Sequence, residues 1–194
     1  MSRFLRAPVL MLFLASCGGG GNYSAPRQLD DACAIAAERP QYLRAMQQTE
    51  RRWGVPVWVQ MATIHQESKF VGNARTPHTY ILGIIPSGRQ STAYGYSQAL
   101  NGTWEEYQAS GGGRGAKRDR IEDATDFIGW YMDQSSQRLG ISKTDAASQY
   151  LAYHEGRTGY ANQSYLNKPW LVEVAAKVGA RSDKYREQLQ YCSN

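Results

Sequence analysis

Apolar residues recur at helical spacing along most of the chain from Leu29 onward. The strongest pattern covers 121–139, where apolar side chains lie three or four positions apart and Gly140 follows as a helix-ending residue. Prolines and glycines divide the rest of the chain into segments of helix length. They predict further helices over 31–38, 40–53, 56–68, 103–108 and 142–154, and a last helix that starts at Pro169. The pattern therefore predicts a mainly α domain.

Several of these helices have capping residues at their ends. Asp30 can cap the first helix, and Gly54 can end the second. Ser142 and Asp145 have the spacing of a capping box, and Gly156 is expected to end the helix that Ser142 starts.

One stretch, 70–93, lacks helical periodicity. It contains two prolines, several glycines and the apolar run YILGII at 80–85, which predicts a long ordered loop with short extended pieces. A loop of this length inside a compact domain is usually functional. The glycine-rich stretch GGGRG at 111–115 lacks the Gly-Lys-Ser/Thr ending of a phosphate-binding loop, and is interpreted as a flexible connection.

The first residues have the pattern of an export signal. Arg3 and Arg6 precede an apolar stretch, 7–16, that is too short to span a bilayer. The sequence LASC at 14–17 resembles the lipobox of bacterial lipoproteins, which implies a lipid on Cys17 and, with Gly18 after it, sorting to the outer membrane. An ordinary secretory signal with a chance cysteine is the alternative. The predicted organisation is a signal peptide over 1–16, a lipidated flexible tether over 17–28 and one folded domain over 29–194.

Charge and cysteine content limit the possible partners. Without residues 1–16, which hold two arginines and no acids, the formal charge falls from +5 to +3; this mild basicity suits an anionic polymer or a membrane surface, and no nucleic-acid-binding motif is present. Cys33 and Cys192 would form a disulfide in an exported protein, whereas two buried thiols are the alternative. With three histidines and no His-Glu-x-x-His motif, neither a metal nor another cofactor is expected.

Glu67 stands at the end of the apolar segment 55–64. The C-terminal end of a helix is negative, and apolar neighbours remove water, so both effects would raise the pKa of this carboxyl. A protonated carboxyl near neutral pH is suited to general-acid catalysis. The alternative is a glutamate that points into solvent.

Three short motifs occur in order: Glu67-Ser68, then AYGYSQ at 93–98, then LAYHEG at 151–156. In this order they resemble the motifs of the SLT-type lytic transglycosylases, peptidoglycan-cleaving relatives of goose-type lysozyme. The resemblance implies a lysozyme-like, SLT/goose-type single helical domain with Glu67 as the catalytic acid. Two positions depart from the family pattern, since Tyr96-Ser97 replaces Leu-Met and His154 replaces an asparagine. The implied substrate-binding residues are Ser68, Gly95, Tyr96, Ser97, Gln98, Tyr153, His154 and Glu155.

The resemblance also implies a reaction and a location. Glu67 would protonate the β-1,4 bond between N-acetylmuramic acid and N-acetylglucosamine, and would then accept the proton of the sugar's own C6 hydroxyl. The product is a 1,6-anhydro sugar, and no second carboxylate is needed, in contrast to ordinary glycosidases. Tyr153 could orient Glu67. The expected partner is the glycan strand at the periplasmic face of the outer membrane, while protein partners cannot be deduced.

Two other functions remain open. A lysozyme-like hydrolase would need a second carboxylate or a held water on the far side of the sugar, and Glu155, Glu105 and Asp126 are the candidate carboxylates. A glycan-binding envelope lipoprotein without activity is the other alternative. His65 lies two residues before Glu67 and is therefore expected on a different side of the helix, as a surface or packing residue.

Overall fold

The computed structural model describes residues 23–192, except for the side chain of Ile81. The predicted signal peptide and Cys17 lie outside the described residues. Within them the chain forms seven α-helices and one two-stranded antiparallel sheet, so the mainly α prediction is confirmed. The elements are α1 (Ala32–Glu38), α2 (Pro40–Trp53), α3 (Val57–Ser68), β1 (His78–Ile81), β2 (Ile85–Arg89), α4 (Asn101–Tyr107), α5 (Ile121–Leu139), α6 (Ala146–Ala161) and α7 (Pro169–Leu189).

Helix α3 lies at the centre of the domain. Most of its residues are buried, as expected for a helix that is apolar on all sides, and it contacts α2, α5, α6 and α7. Next to it, α5 packs an aromatic cluster that includes Phe127, Trp130 and Tyr131. Trp130 and Tyr131 belong to the core. The Tyr131 hydroxyl donates to the carbonyl of Ala152 at 3.1 Å and so connects α5 with α6.

Two helix starts differ from the prediction by a few residues. Asp31, not Asp30, caps α1, because its Oδ1 accepts the amide of Ala34 at 3.0 Å. Asp145, not Ser142, caps α6 in the same way, through the amide of Ser148 at 3.0 Å. In both cases the capping oxygen must reach an amide in the first helical turn, and only the residue directly before the helix does so.

The glycine-rich stretch at 111–115 is not a simple flexible connection. A π-helical turn, Gln108–Gly112, continues α4 and includes Gly111 and Gly112, the first two glycines of this stretch. A Cβ atom on Gly112 would lie 2.1 Å from the ring of Tyr107, so the close approach of backbone and ring requires glycine there. The glycines therefore allow packing as well as a turn.

The long loop contains the β-hairpin of β1 and β2, whose register pairs His78 with Arg89 and Ile81 with Ile85. This agrees with the short extended pieces that were predicted. Leu82 and Gly83, both with positive φ, form the turn at its tip. An isolated bridge between Arg75 and Tyr94 continues the pairing at its base.

The two ends of the described chain are attached to the domain. Residues 23–28 contact it, since the carbonyl of Tyr23 accepts the amide of Gly72 at 3.0 Å, and Arg27 contacts Glu38. The folded part therefore starts no later than residue 23, whereas the sequence pattern placed residues 23–28 in the flexible tether. Cys33 and Cys192 form a disulfide with their Cα atoms 5.2 Å apart. None of the helices in residues 23–192 has the length and apolarity needed to cross a membrane.

Candidate active site

The end of α3 holds Glu67 in place. Lys69 and Phe70, the two residues after the helix, both adopt left-handed backbone conformations, with φ values of 52° and 62°. The ring of Phe70 is fully buried and stacks on Tyr42 with ring centres 6.0 Å apart. Since the chain turns sharply and is then anchored in the core, the last turn of α3 has little freedom to move.

Glu67 is a half-buried residue, and the pKa of its carboxyl is unusual. Burial raises the pKa of Glu67 to about 7, while a hydrogen bond with the Tyr150 hydroxyl and the positive charge of Lys69 oppose that rise. The group can therefore be protonated near neutral pH and still be stabilised after it loses its proton. These are the properties required of a general acid that later acts as a base.

Two tyrosines of α6, one helical turn apart, stand next to Glu67. Tyr150 is buried and is the hydrogen-bond partner of the carboxyl. Tyr153 was expected in this role, but its hydroxyl donates to the carbonyl of Ser97 at 2.6 Å, and it affects Glu67 only through its proximity. Sequence reasoning missed Tyr150. Its spacing of three residues from Tyr153, which places both on one helix face, was the available signal.

Gly95 and Gln98 shape the turn that faces α6. Gly95 has a φ of 82°, and a Cβ atom there would lie 2.1 Å from the carbonyl oxygen of Arg118, so no other residue fits. The Gln98 side chain donates its amide nitrogen to the carbonyls of Ala74 at 3.1 Å and Gly95 at 2.8 Å. These bonds fix the side-chain amide of Gln98 and direct its nitrogen to the backbone.

Three of the residues expected to contact sugar have buried side chains. Tyr96 is 3 % exposed and shares a hydrogen bond of 2.9 Å with the Tyr42 hydroxyl, so it belongs to the core. Ser97 is completely buried, and its hydroxyl has no hydrogen-bond partner among the described residues. The Ser68 hydroxyl donates to the carbonyl of Ile64 at 3.3 Å, within its own helix. The expectation of direct contacts from these side chains is corrected, because packing against α2 and α3 takes them inward.

The first part of α6 ends at Gly156, where φ is 76° and ψ is 156°. The predicted break is present, although a further helical segment follows it. Glu155 lies directly before the break and accepts hydrogen bonds from Lys168 at 2.8 Å and Ser164 at 2.6 Å. The bonds from Lys168 and then Ser164 lower the pKa of Glu155 to about 2, so this carboxylate is ionised and tied to the segment before α7.

His154 lies on the exposed side of the same helix end. Its ring meets the edge of Trp170 with ring centres 5.3 Å apart, and its Nδ1 lies 3.4 Å from a Glu155 oxygen. Trp170 is itself 54 % exposed. The pair therefore presents two rings to solvent beside the break at Gly156.

A cleft of about 240 Å³ runs between the turn at 98–100 and the end of α6. It brings together four of the predicted site residues, Gln98, Tyr153, His154 and Glu155, and adds residues that the motifs did not indicate. Its full lining consists of Gln98, Ala99, Leu100, Thr103, Phe127, Tyr131, Tyr153, His154, Glu155 and Gly156. Aromatic rings beside a few polar groups are typical of a carbohydrate-binding surface.

Asp126 and Glu105, the two other carboxylates considered for a hydrolase, differ from Glu155 in their surroundings. Asp126 accepts hydrogen bonds from Arg52 and Trp53 at 2.8 Å and from Tyr107 at 2.7 Å, and so connects α2, α4 and α5. Glu105 is exposed on α4. Residues 23–192 contain no group of three or more His, Cys, Asp or Glu side chains placed to hold a metal ion.

His65 lies on another face of α3 from Glu67. It is 8 % exposed and lines a separate cleft of about 430 Å³ between α3 and α7, together with Lys69, Lys177 and Arg181. Burial, and then the positive charges of Lys69 and Arg181, lower the pKa of His65 to about 4. The ring is therefore neutral at physiological pH.

One comparison with known proteins gives a match. The family model described as Transglycosylase SLT domain matches residues 5–192, which is nearly the whole chain. Among curated proteins, none matches the chain significantly.

Proposed function

Since the chain belongs to the transglycosylase SLT domain family, whose members act on peptidoglycan in the bacterial envelope, we propose that it is a lytic transglycosylase. In this proposal it cleaves the β-1,4 bond between N-acetylmuramic acid and N-acetylglucosamine and forms 1,6-anhydro-N-acetylmuramic acid. The observation that carries the proposal is Glu67, an acid with a pKa raised to about 7 at the end of a central helix.

The reaction needs one group that first gives and then takes a proton. Protonated Glu67 donates to the glycosidic oxygen as the bond from C1 of the muramic sugar breaks, and N-acetylglucosamine leaves with a free C4 hydroxyl. The C6 oxygen of the muramic sugar then bonds to C1, and ionised Glu67 accepts the C6 hydroxyl proton. The Tyr150 hydroxyl favours the ionised form, so the carboxyl can lose and regain a proton within one turnover.

The surroundings of the remaining carboxylates favour this route over hydrolysis. A hydrolase would use a second carboxylate to activate water or to attack the sugar. Both oxygens of Glu155 accept hydrogen bonds, and both oxygens of Asp126 do so at the junction of three helices. These groups act as structural ties, and Glu67 is left as the acid with a shifted pKa suited to proton transfer.

The cleft lined by Tyr153, a neighbour of Glu67, supplies the sugar-binding surface in this proposal. The half-buried Tyr153 offers a ring for stacking, and the fixed Gln98 side chain can accept a hydrogen bond from a sugar acetamide through its Oε1 atom. His154 would contact the sugar with one ring nitrogen in the position where the family has an asparagine. Gly95 acts indirectly, because it permits the turn that carries Gln98.

The proposal extends to the location of the protein. We infer that residues 1–16 are a signal peptide, that Cys17 is lipidated and that the enzyme works at the periplasmic face of the outer membrane. A Cys17→Ser variant would then appear in the soluble periplasmic fraction. Its continued recovery with membranes would contradict a lipid anchor on this residue.

The decisive experiment is mass spectrometry of muropeptides released from purified sacculi by a soluble form, residues 18–194. We expect products one water lighter than hydrolysed ones, and a loss of release of about 10²–10⁴-fold in Glu67→Gln. Glu173→Gln is the matched control, since it makes the same change at an exposed position of α7. Its release should equal that of the parent protein.

The other outcomes separate the alternatives. Products with an ordinary reducing end would indicate a muramidase that holds a water opposite Glu67. Glycan binding without any products, in the parent and in Glu67→Gln alike, would indicate a binding lipoprotein.

A further inference from the structure

The tip of the β1–β2 hairpin exposes a cluster of large apolar side chains. Leu82 is 87 % exposed and Ile84 is 78 % exposed, while Tyr80 and Ile85 are each more than half exposed. Single apolar residues on a surface are ordinary, but four within six positions concentrate apolar surface at the tip of one hairpin. Such a patch is typical of a surface that a partner covers.

The base of the same hairpin is positively charged. Arg75, Arg89 and Arg118 line a cleft of about 440 Å³, and no carboxylate is among its lining residues. Arg89 donates to the carbonyl of Thr76 at 2.6 Å, and Arg118 donates to two backbone carbonyls. Arg75 lies over the ring of Tyr94 at 4.2 Å. In residues 23–192 none of these three arginines forms an ion pair.

Nearby acids do not cancel this charge. Asp119 and Glu105 are the carboxylates that act on Arg118. Asp119 accepts the Tyr94 hydroxyl at 2.9 Å and thus faces that ring, and Glu105 lies exposed on α4. The cleft is left with three guanidinium groups that can bind anionic oxygen atoms, for which their planar forks are suited.

The spacing between tip and base spans the headgroup layer of a leaflet with a few ångströms left for insertion of the tip. Leu82 lies four residues beyond the His78–Arg89 pair, which corresponds to about 13 Å along a strand. The headgroup layer of one leaflet is about 5–8 Å thick. With the tip about 5 Å inside the acyl chains, Arg89 and the arginines that share its cleft would lie about 8 Å above their boundary, at the level of the lipid headgroups.

The chain also enters the domain at the root of this hairpin. The carbonyl of Tyr23 accepts the amide of Gly72, just before the loop that carries the hairpin. Tyr23 lies six positions after Cys17, a reach of at most about 20 Å. A lipid on Cys17, as proposed above, would therefore hold the hairpin close to the leaflet.

We propose that the hairpin is a membrane-docking element, in which the apolar tip enters an anionic leaflet and Arg75, Arg89 and Arg118 bind lipid phosphates. This function does not depend on catalysis. It would orient the domain on the bilayer beyond what a flexible lipid tether alone provides, and keep its cleft at a fixed height above the membrane.

The test is flotation of the soluble form, residues 18–194, with lipid vesicles. This form lacks the cysteine that would be lipidated and contains every described residue. We expect binding to vesicles of equal parts phosphatidylglycerol and phosphatidylethanolamine, and much weaker binding to phosphatidylcholine alone. Leu82→Ser should reduce the partition coefficient about tenfold on both vesicles. Arg89→Gln should reduce it about fivefold on the anionic vesicles only.

Two control variants make comparable changes away from the hairpin. Leu166→Ser removes an apolar side chain that is 60 % exposed, and Lys177→Gln removes an exposed positive charge on α7. Both should bind the vesicles like the parent, as should Glu67→Gln. The vesicle result is therefore independent of whether the enzyme cleaves glycan.

Three outcomes would overturn the proposal. One is the absence of binding to either vesicle. Another is a loss in Arg89→Gln without any loss in Leu82→Ser, which would mean electrostatic adsorption without insertion. The last is a result in which both variants bind vesicles like the parent but release less product from peptide-bearing sacculi. That result would assign the surface to acidic peptides of the cell wall.

Discussion

The turn at Gly95 beside Glu67 and the tip of the hairpin use the same backbone conformation in opposite surroundings. Gly95 and Gly83 have similar φ values of 82° and 75°. A Cβ atom on Gly95 would lie 2.1 Å from a backbone oxygen, whereas one on Gly83 would have nothing within 4 Å. At the site the conformation is required by packing, and at the tip it is required only by the turn. The active site is thus rigid, and the hairpin is free to meet a partner.

Replacing each glycine by alanine tests this contrast most strongly. Gly95→Ala should lower the free energy of unfolding by at least about 3 kcal/mol, because steric overlap adds to the strain of a positive φ. Gly83→Ala should cost about 1 kcal/mol, since only the strain remains. Urea unfolding of both variants measures the difference. Similar losses would mean that the 95–98 turn can relax as freely as the hairpin tip.

The disulfide is expected to stabilise the helical body more than the hairpin. It joins α1 to the residue 192 end, and loss of such a long closed loop costs about 2–4 kcal/mol. The double variant Cys33→Ser/Cys192→Ser should lose that amount, and hydrogen exchange should become faster in α1 and α7. The amides of β1 and β2 should exchange at unchanged rates. Faster exchange throughout the hairpin would show that it is coupled to the helical body.

The buried carboxyl gives the site a pH dependence that the hairpin lacks. Below the ordinary pKa of 4.5, Glu67 is protonated in both the folded and the unfolded state, so it does not change the free energy of unfolding. As pH rises from about 4.5 to about 7, the unfolded state ionises first, so the free energy of unfolding falls, by at most about 3 kcal/mol. Above about pH 7 this contribution is constant.

Thermal unfolding between pH 4 and pH 8 measures this fall. The parent protein should lose stability across the window, and Glu67→Gln should lose less. Turnover should also decrease above about pH 7, where the acid is ionised. Parallel stability profiles for the two proteins would place the carboxyl of Glu67 in contact with water.

The two tyrosines give the smallest and most specific effects. Tyr150→Phe removes the hydrogen bond that favours ionised Glu67, so the pKa of Glu67 should rise and the alkaline limit of activity should move to higher pH. Tyr153→Phe leaves the carbonyl of Ser97 without its donor and should cost about 1 kcal/mol of stability. An equal shift of the pH profile in both variants would contradict the assignment of Tyr150 as the partner.

Local chemistry made much of the helical framework predictable. The bounds of α2 and α5 agree with the sequence pattern, because Pro40, Gly54 and Gly140 mark helix ends by their own backbone preferences. The starts of α1 and α6 were placed less well, since several polar residues precede each helix and any of them could act as the cap. Glu67 was recognisable because it follows an apolar helix.

The orientation of the motif side chains was less predictable. Tyr96 and Ser97 stand in a motif associated with substrate, yet both are buried. Their orientation depends on how the turn at Gly95 packs against Arg118 and Tyr42, which are distant in sequence. A motif indicates which backbone segment borders the cleft, but it does not tell which of its side chains face the cleft.

The sequence by itself determined the helices, the family and the choice of Glu67 as the proposed acid, because caps, periodicity and the three motifs are local properties. Only the tertiary structure decided the properties of that acid. The pKa of Glu67 depends on burial against α6 and on the hydroxyl of Tyr150, which lies more than eighty positions further along the chain. The exposure of Tyr80, Leu82, Ile84 and Ile85 was also a tertiary outcome. An apolar run can pack inward or project outward, and the choice depends on whether the core has room for it.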